Sequence, residues 1–139
     1  MASFDDIVAD FSFLDDWDDR YKYLIDLGRS LEAYPDELRD DDHKVKGCAS
    51  QVWLDAGVAD GPAGKVLRLR GDSDAHIVRG LVALLIALYA DRPAAEAAEL
   101  DAREALASLD LDGHLTPQRA NGLVSMVSRI REEAARAAA

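Results

Sequence analysis

The chain has 139 residues, 49% of them hydrophobic, a formal net charge of −11 and a single cysteine. That length can bury a core without disulfide or metal staples, and the apolar content excludes a disordered chain despite the charge. One cysteine excludes an internal disulfide and a multi-cysteine zinc site, and the acidic balance argues against nucleic acid, whose phosphates it would repel.

Phe4, Ile7, Val8 and Phe11 recur at helical spacing and predict a short amphipathic helix. A second helix starts near Asp15 or Asp16, either of which can cap it, and Asp18 and Asp19 suit the positive end of its dipole. Trp17, Tyr21, Leu24, Ile25 and Leu31 mark its apolar stripe, and Gly28 and Arg29 suit its end. Pro35 closes this unit, with Asp36 as the expected cap of one turn through Leu38. Residues 1–42 carry 14 acidic and 4 basic side chains, against 13 and 12 in residues 43–139. A solvated face accounts for the acidic third better than a specific docking surface does.

After Asp40-Asp41-Asp42 the pattern changes. Val52, Leu54 and Ala56 alternate with Gln51, Trp53 and Asp55, and Leu67 and Leu69 alternate with Arg68 and Arg70. With the turn cluster Asp60-Gly61-Pro62-Ala63-Gly64 between them, these runs predict an antiparallel hairpin. The segment from Asp74 to Tyr89 is apolar on nearly every side and reads as a central helix, capped by Asp72 or Ser73. Gly80 inside it costs about 1 kcal/mol relative to alanine, a cost that makes sense where another backbone must approach closely. Residues 94–108 read as alanine-rich helix, and Thr116-Pro117 opens a last one through Leu123, Met126, Val127 and Ile130. The expected fold is a single α+β domain over residues 1–139, a small antiparallel sheet packed with several helices.

The longest apolar candidate for a membrane span, Ile77 to Ala90, is interrupted by Arg79 and Gly80, and the start Met1-Ala2-Ser3-Phe4-Asp5-Asp6 lacks the pattern of a signal peptide. A cytoplasmic protein with no membrane or nucleic-acid partner is therefore expected. His43, His76 and His114 show no ligand spacing and no phosphate loop is present, so neither a metal nor a bound cofactor is expected.

The residue that can carry chemistry is Cys48, in His43-Lys44-Val45-Lys46-Gly47-Cys48-Ala49-Ser50. Gly47 offers backbone freedom beside the sulfur, and Lys44, Lys46 and His43 can place positive charge near it to favour a thiolate. The same features fit an inert, buried cysteine acting as a small apolar residue, and taken alone they favour that reading. A hydrolase is a third option, but neither a nucleophile elbow nor a cysteine-protease pattern is present.

Four stretches in order along the chain resemble the SufE/CsdE family of cysteine desulfurase partners. They are Asp16-Trp17-Asp18-Asp19-Arg20-Tyr21 with Leu27-Gly28, then Val45-Lys46-Gly47-Cys48-Ala49-Ser50-Gln51-Val52-Trp53-Leu54. Gly71-Asp72-Ser73-Asp74-Ala75 with Ile77-Val78-Arg79-Gly80-Leu81 follows, and His114-Leu115-Thr116-Pro117-Gln118-Arg119 with Asn121-Gly122-Leu123 and Met126 completes the set. Ala49 departs from the glutamine common after the family's cysteine, which bears on loop detail and leaves the thiol untouched.

The resemblance implies a SufE-like fold and a sulfur carrier. A separate pyridoxal-phosphate desulfurase (SufS- or CsdA-like) would pass persulfide sulfur to Cys48, turn over faster for it, and leave the loaded carrier to supply a SufBCD-like iron–sulfur scaffold. Ser50, Asp74 and Arg119 match family positions around the cysteine loop and the partner-facing side, and Gly47 belongs to the same motif. The alternatives are a single-cysteine enzyme reactive toward peroxide, sulfur delivery to another pathway, and an interaction module whose thiol is inert.

Overall fold

The computed structural model describes residues 3–62, 64–111 and 113–139, so Ala63 of the predicted turn lies outside them. Two helices come first, α1 (Phe4–Phe13) and α2 (Trp17–Arg29), then a single 3-10 turn at Asp36–Leu38. A hairpin follows, β1 (Val52–Gly61) and β2 (Gly64–Ser73), and then α3 (His76–Tyr89), α4 (Ala94–Glu99), α5 (Ala102–Ala107) and α6 (Pro117–Ala138). The predicted α+β architecture is the observed one.

Local chemistry explains most boundaries. Ser3 and Asp6 form a capping box on α1, Asp16 accepts from the Asp18 amide at 2.8 Å to start α2, and Thr116 caps α6 ahead of Pro117. The 3-10 turn has Pro35, not Asp36, at its cap position and no side-chain cap bond. Residues 94–108 do not form one helix. Asp101 caps α5 anew by accepting from the Arg103 amide, and the Tyr89 hydroxyl takes the freed Leu100 carbonyl at 2.8 Å.

The strands pair antiparallel from Val52 opposite Ser73 to Gly61 opposite Gly64, further than the alternation in sequence suggests. Val52, Leu54 and Leu67 are buried, but Gly57 and Val58 are exposed, so the apolar signal fades before the hydrogen bonding does.

Leu81, Ala83, Leu84 and Tyr89 of α3 are fully buried, which makes this helix the centre of the core. Gly80 is where α2 meets it: a Cβ there would lie 2.6 Å from the Leu24 carbonyl carbon, and one at Gly28 would lie 2.8 Å from the Gly80 nitrogen. The two backbones touch, which is the close approach that justifies a glycine in mid-helix. Neither expected side chain caps α3. Ala75 holds the cap position, while Asp72 pairs with Arg39 at 2.8 Å and Arg79 at 2.9 Å. Among the described residues no helix is long and apolar enough to cross a membrane.

Candidate functional site

Cys48 sits at the tip of a loop whose two ends are tied down separately. On the entry side the Val45 amide donates to the Val52 carbonyl at 2.8 Å, and the Leu54 amide donates to the His43 carbonyl at 2.9 Å. The isolated antiparallel bridge between Lys44 and Trp53 lays this segment along β1. Arg129 of α6 holds the other side of this segment, donating from Nη1 to the Lys44 carbonyl at 3.1 Å and from Nη2 to the Asp42 carbonyl at 2.5 Å. On the exit side the Gln51 amide donates to Oδ1 of Asp74 at 3.0 Å, and the Asp74 amide returns a bond to the Gln51 carbonyl at 3.3 Å. Asp74 thus fastens the loop to the approach to α3.

The tip is held more lightly. Gly47 has φ +90°, which favours glycine, and a Cβ there would lie 2.5 Å from the Ser125 hydroxyl oxygen, which would have to rotate away. Cys48 is half-buried, and its thiol donates to the Gly122 carbonyl at 3.6 Å. Beside the sulfur is a cavity of about 30 Å³ lined by Ser50, Val78, Leu81, Arg119 and Met126 among others. That volume suits one small guest such as a water molecule or a single extra atom. The structure therefore brings Gly47, Cys48, Ser50 and Arg119 to one place, with Asp74 at the loop's exit.

Burial pushes the Cys48 thiol up from its ordinary value. This runs against the expectation that Lys44 and Lys46 activate it: Lys46 is exposed, and desolvation, with no contribution from either lysine, is the cause of the shift. At rest the sulfur is a protonated thiol donating to a carbonyl. His43 is occupied by carboxylates, with Nδ1 2.7 Å from Asp40 and Nε2 3.7 Å from Asp55. His114 stacks on Trp17 at 3.9 Å between ring centroids, and His76 is the exposed first residue of α3. The cysteine–histidine pair a hydrolase needs does not form among the described residues, where no metal-binding group of His, Cys, Asp and Glu forms either.

The raised thiol has a pH signature. The fold holds the proton more firmly than the unfolded chain does, so this contribution to stability is complete below the ordinary thiol range and is lost as pH rises through the raised value. Alkylation of Cys48 in the free protein is expected to run slower at neutral pH than in an unstructured cysteine peptide, with its pH midpoint displaced upward. Labelling at the peptide's rate and midpoint contradicts a sheltered thiol.

A family model described as SufE, Fe-S metabolism associated domain, matches residues 5–134. The chain belongs to the SufE family. Two relatives named as uncharacterised SufE-like proteins agree with it. The Rhizobium etli protein is 54% identical over 134 residues, covering 96% of this chain and 90% of its own. That of Rhizobium meliloti strain 1021 is 47% identical, covering 96% of each. The solution structure of a hypothetical protein from Thermus thermophilus shares the fold, with a TM-score of 0.76 at 18% identity over 96% of this chain and 94% of that one. Membership makes this SufE-like chain a sulfur acceptor linked to iron–sulfur metabolism. Sequence reasoning passed over Ser125 and Arg129, although Gly122, Ser125 and Arg129 recur at three- and four-residue spacing on a predicted helix, and that spacing was the available signal.

Proposed function

We propose that this SufE-like protein accepts a sulfur atom on Cys48 from the persulfide of a cysteine desulfurase and passes it to an iron–sulfur cluster scaffold. The observation that supports this best is the setting of the chain's one thiol, half-buried on a glycine-hinged tip over a cavity sized for one extra atom. In the reaction the Cys48 thiolate attacks the outer sulfur of the desulfurase persulfide. A new S–S bond forms, the old one breaks, and the desulfurase cysteine leaves as thiolate, so nothing is oxidised or reduced overall. The pyridoxal phosphate that draws sulfur from L-cysteine belongs to the desulfurase, and this chain needs no cofactor of its own.

A thiol that is protonated and bonded to the Gly122 carbonyl is a poor nucleophile, so transfer requires the tip to leave that carbonyl. Docking achieves this if the desulfurase binds the released tip more tightly than the sheltered one. The same burial disfavours the peroxide-reactive reading, which needs a thiolate in the resting protein. The deciding experiment is incubation with a cysteine desulfurase and L-cysteine followed by intact mass measurement. One added sulfur on Cys48 is expected; no added sulfur, with peroxide consumed instead, overturns the proposal.

Arg119 is the residue at this site best suited to face the donor. It is exposed, lines the cavity beside the sulfur, and sits in the first turn of α6, where a cation opposes the helix dipole. It enters none of the ion pairs among the described residues. Arg119→Glu is expected to weaken desulfurase binding about ten-fold or more, with a thermal midpoint close to the parent's. Equal affinities in a titration remove Arg119 from the interface.

A further inference from the structure

Gly122, Ser125 and Arg129 lie on one face of α6, and each meets a different part of the cysteine loop. The Gly122 carbonyl takes the thiol proton, Ser125 lies against Gly47, and Arg129 reaches the backbone before the tip. The geometry of that last contact is specific. The turn at Asp41–His43 and the bridge at Lys44 send the carbonyls of this segment to two sides: that of His43 faces β1 and accepts from the Leu54 amide, while those of Asp42 and Lys44 face α6. The planar guanidinium of Arg129 spans both.

The arginine is itself held in place. Its Nε pairs with Glu133 one turn further along α6 at 3.1 Å, and both side chains are only 21% exposed. Of its three donor nitrogens, Nε serves to orient the group and the other two go to loop backbone. Seen from the tip, residues up to Val45 are thereby sandwiched between β1 and α6, while Gln51 is fixed by Asp74. What remains free to swing is Lys46 to Ser50, held by one long sulfur bond and by packing at Gly47.

We propose that Arg129 is a positioning residue that sets the entry hinge of the cysteine loop at Val45, so that Cys48 moves between shelter and donor on a short arm of fixed origin. Without it the segment from Asp42 to Val45 keeps only its bonds to β1 and loses its tie to α6, so the hinge itself gains freedom. The resting thiol is then poorly sheltered, and the released thiol is presented over a wider range of positions.

The test uses the full chain with Arg129→Ala, Arg129→Lys and, since the alanine variant removes three bonds together, Glu133→Gln, which keeps the guanidinium and loosens its orientation along with the exposed Arg136 pair on the same carboxylate. Two readouts are taken: alkylation of Cys48 in the free protein, and single-turnover sulfur uptake from a cysteine desulfurase. Arg129→Ala is expected to alkylate at least about ten-fold faster, the change expected for loss of one charge-assisted hydrogen bond. Its uptake at saturating desulfurase should fall about ten-fold, with the half-saturating desulfurase concentration unchanged because the docking face around Arg119 is intact. Arg129→Lys, which can still serve one carbonyl, should recover part of both effects, and Glu133→Gln should fall between it and the parent. Parent-like alkylation in both Arg129→Ala and Glu133→Gln overturns the hinge assignment. So does a loss of uptake confined to the half-saturating concentration. The uptake readout rests on Cys48 as sulfur acceptor: should the parent protein take no sulfur, that reading fails, and the alkylation series still decides the role of Arg129.

Discussion

Cys48→Ser is expected to abolish sulfur uptake and the stimulation of desulfurase turnover while leaving the fold within about 1 kcal/mol of the parent. The two halves of this expectation have separate causes. Cys48 lies on a loop tip, is only half-buried, and contributes one long bond to the Gly122 carbonyl, which a serine hydroxyl can also make. Little packing is lost, and surface-loop substitutions of this kind cost little. The chemistry has no such substitute, because a serine hydroxyl is hardly ionised near neutral pH and an oxygen cannot extend into a persulfide. A drop of at least about a thousand-fold in uptake is the scale expected when a nucleophile is removed. The measurement is intact mass after incubation with desulfurase and L-cysteine, alongside a urea unfolding curve. Retained stimulation in the serine variant means that the protein activates the desulfurase by docking alone, and the carrier mechanism fails.

The elements around this site were legible in the sequence to unequal degrees. Asp16 and Thr116-Pro117 announce helix starts through side chains that act two or three residues away, and such local chemistry survives in any tertiary setting. Gly80 within an otherwise apolar helix pointed to a close backbone approach, and Leu24 supplies it. Asp72 was misassigned because its partners, Arg39 and Arg79, come from separate elements that only the fold brings together. The break at Leu100 escaped notice in an alanine-rich stretch with little pattern, where the Tyr89 hydroxyl decides the matter from outside.

The thiol shows the same division more sharply. Lys44 and Lys46 are its neighbours in sequence and suggested activation, yet the group that surrounds the sulfur comes from α6, and the Gly122 carbonyl is 74 residues away. Burial by a distant helix reversed the sign expected from adjacent charges. Local residues alone favoured an inert cysteine. It was the resemblance of four motifs in order that pointed to sulfur transfer, and the match over residues 5–134 bears out the family.

Gly80→Ala is expected to be strongly destabilising, lowering stability by about 3 kcal/mol or more. Two opposing effects decide the sign. In an unobstructed helix interior the change would stabilise by about 1 kcal/mol through better helix propensity. Here the new methyl would sit 2.6 Å from the Leu24 carbonyl carbon and closer still to its oxygen, and both are backbone atoms of α2. A flexible side chain could rotate away; a helix backbone can only be displaced as a unit. Separating α2 from α3 would open the contact at Gly28 and loosen Leu24, Leu81 and Leu84, all fully buried. The steric term therefore wins by a wide margin. The damage also extends to the functional loop, since Val78 and Leu81 of the same helix line the cavity beside Cys48 and Asp74 fastens the loop just before it. Urea unfolding monitored by circular dichroism measures the first effect, and Cys48 alkylation in the still-folded protein measures the second, with faster labelling expected. A Gly80→Ala protein as stable as the parent, or more so, means that propensity outweighs contact and that the two helices do not pack backbone to backbone.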